Sequence, residues 1–288
     1  MMKVSVTSYS YSQAINADFT IFDAMDHAKQ HGADGFEFAG FDVPEGMTKE
    51  ERARELRAYS EKIGLPIVAY AVGANFLKDE NPDDAVEQAC REVDLAEILG
   101  VPVMRHDVAY GFPAWYQGIR TFPAVLPRLA ESCRRVTEYA AERGIRTCSE
   151  NHGLFAQDAD RIVALVTAVN HTNYGALCDM GNFLCADEDS AVAVGKVAPF
   201  TVHVHAKDFL RKSGMEDNPG DGWFCSRAGN YLRGTVIGHG VVPVRQDLRI
   251  LKTAGYDGYV TVEFEGMEKT LQAIECGIAN LKRWIDCK

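Results

Sequence analysis

The chain has 288 residues, 47% of them hydrophobic and 25% charged, with 30 basic against 41 acidic side chains and a formal charge of −11. This composition can bury a large core and argues against a disordered chain. The acidic balance, with no local basic stripe to offset it, argues against nucleic acid or an anionic membrane as partner and favours small uncharged or metal-chelated substrates.

At the N-terminus, Met1-Met2-Lys3-Val4-Ser5-Val6 enters an alternating strand pattern with no apolar signal stretch, and no later run reaches membrane-spanning length. A soluble, cytoplasmic protein is expected. Strand-type runs follow at residues 3–8, 35–39, 66–72, 101–108, 146–151, 174–180, 201–207 and 259–265, each trailed by a helical pattern. The helix periodicity is clearest in Phe122, Leu126, Leu129, Cys133, Val136 and Ala140, and again in Leu271, Ile274, Ile278, Leu281 and Ile285. Glycines just past several helices (Gly32, Gly64, Gly100, Gly144, Gly255) punctuate the return to a strand. Eight βα units with no Pro/Ser-rich linker predict a single-domain α/β fold over residues 1–288, the (β/α)8 TIM barrel, which takes roughly 250 residues as one unit. Residues 209–242, which contain Asn218-Pro219-Gly220-Asp221-Gly222, read as a long functional loop after strand seven. The eight cysteines, at no C-x-x-C spacing, read as reduced packing residues.

Barrel enzymes carry their chemistry at the carboxyl ends of the strands. Here strand five ends in Ser149-Glu150-Asn151-His152, strand six in Cys178-Asp179-Met180-Gly181-Asn182, strand seven in His203-Val204-His205-Ala206-Lys207-Asp208 and strand eight in Glu263-Phe264-Glu265. The two-residue period of a strand sends Val202 and Val204 outward and His203 and His205 into the barrel; it likewise sends Val260, Val262 and Phe264 outward and Thr261, Glu263 and Glu265 inward. Carboxylates converging inside a barrel repel one another unless a cation joins them. Carboxylates with one imidazole form a hard, oxygen-rich set, so one divalent metal is expected, Mn²⁺ first, then Mg²⁺, with Co²⁺, Fe²⁺ and Zn²⁺ as alternatives. Glu37 at the end of strand two and His106 at the end of strand four should face the same pocket, as should His152 and Lys207. Trp115, Tyr116, Trp223, Phe224 and Tyr231, in the loops after strands four and seven, are candidates to wall a sugar. No Gly-rich cradle marks a phosphate site.

The segments Ser149-Glu150-Asn151-His152-Gly153, Cys178-Asp179-Met180-Gly181-Asn182, Val204-His205-Ala206-Lys207-Asp208, Ile237-Gly238-His239-Gly240 and Gly258-Tyr259-Val260-Thr261-Val262-Glu263 resemble the xylose isomerase-like barrel superfamily, in the branch of sugar isomerases, ketose 3-epimerases and inosose dehydratases. The resemblance implies a metal held by Glu150, Asp179, His205 and Glu263, with His205 chosen over His203 and Glu263 over Glu265. It also implies that Glu150 and Glu263 exchange protons with the carbon beside a chelated carbonyl, as in an isomerase or epimerase of a sugar or cyclitol. Arg211 matches a position from which ketose 3-epimerases contact substrate. Asn182, also expected to face substrate, stands where those epimerases carry His, which opens a second reading: a dehydratase or lyase acting on a keto-sugar or keto-inositol. A homodimer or homotetramer is compatible with the sequence. The apurinic endonuclease branch fits poorly, since a −11 chain with eight histidines lacks its basic surface and histidine-rich metal cluster.

Overall fold

The computed structural model describes residues 1–287. Seven parallel strands follow in chain order, β1 (Lys3–Thr7), β2 (Gly35–Ala39), β3 (Ile67–Val72), β4 (Val103–His106), β5 (Arg146–Glu150), β6 (Tyr174–Asp179) and β7 (Thr201–Ala206). A small antiparallel sheet of β8 (Asp208–Lys212), β9 (Phe224–Cys225) and β10 (Tyr231–Thr235) comes next, and β11 (Tyr259–Val262) is the eighth barrel strand. The barrel closes where β1 pairs in parallel with β11, Lys3 opposite Tyr259 and Ser5 opposite Thr261.

Eight helices clothe the barrel: α1 (Ile21–Gln30), α2 (Lys49–Ile63), α3 (Asp83–Leu99), α4 (Phe122–Ala141), α5 (Ala159–Val169), α6 (Ser190–Val197), α7 (Val244–Thr253) and α8 (Thr270–Asp286). Reciprocal capping boxes, Thr20 with Asp23 and Thr48 with Glu51, start α1 and α2 by satisfying free backbone N–H groups. Left-handed Gly64 (φ 63°) and Gly100 (φ 76°) end α2 and α3, where a side chain on Cβ would be strained. The α4 stripe of Phe122, Val125, Leu129, Cys133, Val136 and Ala140 is buried against the sheet, as its periodicity requires. Among the described residues no helix is long and apolar enough to cross a membrane.

Most of the core lies between strands and helices, and a smaller cluster of Ala69, Val103, Cys148, Leu177 and Val202 fills the barrel interior. Val202 therefore points inward, contrary to its place in the alternating pattern. Ala176 pairs with Thr201 and Leu177 with His203, so Val202 is the extra residue of a bulge and the two-residue period restarts after it. Four cysteines (Cys133, Cys148, Cys178, Cys185) are buried as packing residues, whereas Cys225, Cys276 and Cys287 are exposed.

Residues 209–242 are not an irregular loop. Phe209 to Lys212 pair with Tyr231 to Gly234, and Phe224 and Cys225 add a short third strand. Its return to the barrel is fixed by Asp208, whose carboxylate accepts from the backbone N–H groups of Gly238 (2.8 Å), Gly240 (2.9 Å) and Val242 (3.0 Å). A Cβ on Gly240 would collide with that carboxylate, which accounts for glycine in the Gly238-His239-Gly240 run.

On β6, Gly175 faces the bulge, and a methyl group there would overlap Val202 Cγ2 and the Phe200 carbonyl. Gly175→Ala should therefore destabilise the barrel by about 1–3 kcal/mol. A lowered urea midpoint at unchanged slope is the expected result; wild-type stability would show that the bulge yields freely.

Candidate metal centre at the barrel mouth

The ends of β5, β6 and β7 and the residue after β11 bring together Glu150, Asp179, His205 and Glu263, with one potential ligand atom from each lying within 4.8 Å of the others. Three of them are buried, Asp179 with no exposure and Glu150 with only 5%, and Glu263 is partly exposed. Asn151 clamps two of the strand ends, donating Nδ2–H to the Asp179 carbonyl and accepting the Asp179 N–H, both at 2.9 Å.

The donor set fits a divalent ion. Asp179 Oδ1 accepts from the N–H groups of Gly181 (2.8 Å) and Asn182 (2.9 Å), while its buried Oδ2 has no hydrogen-bond partner. A desolvated carboxylate oxygen left without a donor is costly unless a cation satisfies it. His205 stands between carboxylates: Nε2 is 2.9 and 3.0 Å from the two oxygens of Glu37, and Nδ1 is 3.2 Å from Glu263 Oε2. With Nε2–H donated to Glu37, Nδ1 is the nitrogen available to an ion. His203 turns away from the cluster, with Nε2 2.7 Å from Glu37 Oε2 and 2.9 Å from Thr261 Oγ1.

Two long cations offset the crowd of negative charge. Lys207 Nζ lies 2.9 Å from Glu263 Oε2, 3.4 Å from Asp179 Oδ2 and 3.6 Å from Glu265 Oε2. Arg105 Nη2 lies 2.6 Å from Glu150 Oε2 and 2.9 Å from Asp107 Oδ1. Burial, together with the Glu263 and Glu150 charges, pushes the Asp179 carboxyl well above the usual carboxylate range despite Lys207. Burial acts the same way on Glu263, but there Lys207 and His205 outweigh it and hold the carboxyl well below that range. His205 is disfavoured as a cation by burial, yet Glu37 and Glu263 raise its pKa well above the ordinary histidine value. The cluster thus gathers positive charge from wherever the protein can supply it.

A cleft of about 460 Å³ opens onto this cluster, walled by Tyr9, Arg105, Glu150, His152, Lys207 and Glu263 among others. His152, its side chain 44% exposed, is hydrogen-bonded through Nδ1 to Asp107 Oδ1 at 3.0 Å. Glu37 reaches this cleft but spends both oxygens on His203 and His205. Asn182 lies behind the wall, donating Nδ2–H to Glu150 Oε1 at 2.9 Å and accepting from Lys207 at 3.3 Å.

Besides Asn182, two more of the expected substrate-facing residues are placed away from this cleft. His106 is fully buried beside Phe76 and Tyr174, its Nδ1 2.8 Å from the Asp107 carbonyl, and burial lowers its pKa to about 4. Arg211 is exposed on β8 and lines a separate cleft with Asp187 and Gln246. Of the candidate sugar-walling aromatics, none of Trp115, Tyr116, Trp223, Phe224 and Tyr231 is among the described residues lining the cleft over the carboxylates. The sequence reading missed Arg105 and Asp107. Arg105 pairs in register with Cys148, whose side chain is interior, so strand alternation puts Arg105 inward and His106 outward.

Residues 25–285 match the pattern of the xylose isomerase-like TIM barrel family. The chain belongs to that family. It is 26% identical over 139 residues to an inosose dehydratase of Lacticaseibacillus casei, 48% of this chain and 46% of that one, so the match spans about half the relative's length. An inosose dehydratase of Bacillus licheniformis is 26% identical over 252 residues, 81% of this chain and 77% of its own. A xylose isomerase-like TIM barrel protein from Mycobacterium smegmatis, solved in complex with magnesium, superposes with a TM-score of 0.74 at 20% identity over 99% of this chain and 97% of that one. That likeness is one of fold.

Because Glu37 fixes the orientation and tautomer of His205, Glu37→Gln should weaken Mn²⁺ binding by roughly 10- to 100-fold in isothermal titration. Unchanged affinity would mean that His205 is not oriented through Glu37 or does not bind the ion.

Proposed function

We propose that the protein is a divalent-metal-dependent lyase that removes water from a keto-sugar or keto-inositol. Glu150, Asp179, His205 and Glu263 are the residues that would hold the metal; when bound, it polarises the substrate carbonyl and makes the neighbouring C–H acidic. The observation that carries the reading is His152, held by Asp107 and lining the same cleft as the carboxylates.

Elimination needs a base and an acid. Both Glu150 oxygens are engaged, Oε2 by Arg105 at 2.6 Å and Oε1 by Asn182 at 2.9 Å. Glu263 is the freer carboxylate, with a side chain 12% exposed against 4% for Glu150. Glu263 takes the proton from the carbon beside the carbonyl. The electron pair left on that carbon expels the β-hydroxyl as the C–O bond breaks. His152 donates its Nε2 proton to the departing hydroxyl, which leaves as water. Asp107 holds His152 through Nδ1 and so aims Nε2 at the cleft. Lys207 stays within reach of Glu263 and shields the developing charge. Relatives that bear the name inosose dehydratase support this reading.

The second reading, an isomerase or epimerase, rests on the presence of two glutamates in one cluster. If Glu150 returned a proton to the opposite face of the same carbon, the product would be a stereoisomer and His152 would have no acid to supply.

With a keto-inositol as probe and the protein loaded with Mn²⁺, the product should be lighter by one water. His152→Asn should slow that loss by roughly 10²-fold or more while hydrogen exchange beside the carbonyl persists in D₂O. A product of unchanged mass would replace the lyase reading with the epimerase one. Full turnover by His152→Asn would remove His152 as the acid.

A further inference from the structure

On the outside of the barrel, away from the cleft, His27 of α1, His31 at its C-terminus and Glu275 of α8 form a second compact donor set. His27 and His31 are four residues apart, so one face of the helix presents both rings, and their centroids are 4.5 Å apart. The two Nε2 atoms converge on one oxygen: His27 Nε2 is 3.3 Å and His31 Nε2 3.7 Å from Glu275 Oε1. One donor atom from each residue lies within 4.8 Å of the others.

The arrangement has more than proximity. Tyr11, buried in the core, sets its hydroxyl 3.0 Å from His27 Nδ1, so that when the hydroxyl accepts from Nδ1–H, Nε2 is left unprotonated and aimed at Glu275. Metal-binding histidines are oriented by this kind of contact to the other ring nitrogen. Among the described residues Glu275 has no Lys or Arg partner; its ion-pair contacts are the two histidines alone. The His27 side chain is 11% exposed and that of His31 38%, which leaves one side open for a water ligand.

We propose that His27, His31 and Glu275 form a second metal site, selective for a borderline ion such as Zn²⁺ because two imidazoles and one carboxylate supply its usual donors. The site joins α1 to α8, the first and last helices, and these flank the seam where β1 pairs with β11. Its role is structural: an ion there ties α1 to α8 across the barrel seam, and binding only to the folded state raises stability with metal concentration.

The test separates this site from the barrel mouth. In Asp179→Asn, which cripples the central cluster, one Zn²⁺ per chain should still bind and raise the thermal midpoint; adding His31→Ala or Glu275→Gln should abolish both effects. In the wild-type chain the same substitutions should lower the Zn²⁺ stoichiometry by one, a readout that stands if Asp179→Asn fails to fold. Equal Zn²⁺ content in wild type, His31→Ala and Glu275→Gln would overturn the proposal.

Discussion

Carboxylates at the top of a packed barrel cannot be left to repel one another, because water is too scarce there to screen them. Glu37, Glu150, Asp179 and Glu263 are each at most partly exposed, and the polar features of the mouth answer their charge. Lys207 reaches between Asp179 and Glu263, Arg105 braces Glu150 and Asp107, and His205 is pinned between Glu37 and Glu263. The compensation is incomplete, since Asp179 Oδ2 is still without a hydrogen-bond donor. A divalent ion among the four ligand atoms would complete it and release Lys207 to act on substrate.

The scaffold keeps this arrangement from relaxing. An apolar plug of Ala69, Val103, Cys148, Leu177 and Val202 fills the interior, so the polar side chains cannot retreat downward. At the rim, Asn151 locks the end of β5 to that of β6, and Asp208 gathers the backbone of the segment that returns from the small sheet. The charged cluster is thus held by elements whose own hydrogen bonds are satisfied, a condition for holding ligands within fractions of an ångström.

Much of this was legible in the sequence because strand geometry is simple. The period of two separated His205 from Val204 and Glu263 from Val262, and the run of polar residues ending four consecutive strands marked the mouth. The same rule failed where its phase was undetermined. At Val103-Met104-Arg105-His106 both faces end in a polar residue, and the register with β5 alone decides that Arg105 is inside. Val202 escaped because a bulge adds a residue that no local pattern announces. Residues 209–242 read as a loop because Asn218-Pro219-Gly220 masks the strand-like Tyr231-Leu232-Arg233 beyond it. The pairing of Asp107 with His152 spans 45 positions and has no sequence signature at all.

The claim on which the account stands is that the four converging residues form one metal centre. Anomalous diffraction from crystals grown with Mn²⁺ tests it most directly. The account predicts a peak bounded by Glu150, Asp179 Oδ2, His205 Nδ1 and Glu263, with the Lys207 ammonium moved away from Asp179. A map without density among these residues, with Lys207 still seated against Asp179, would contradict it.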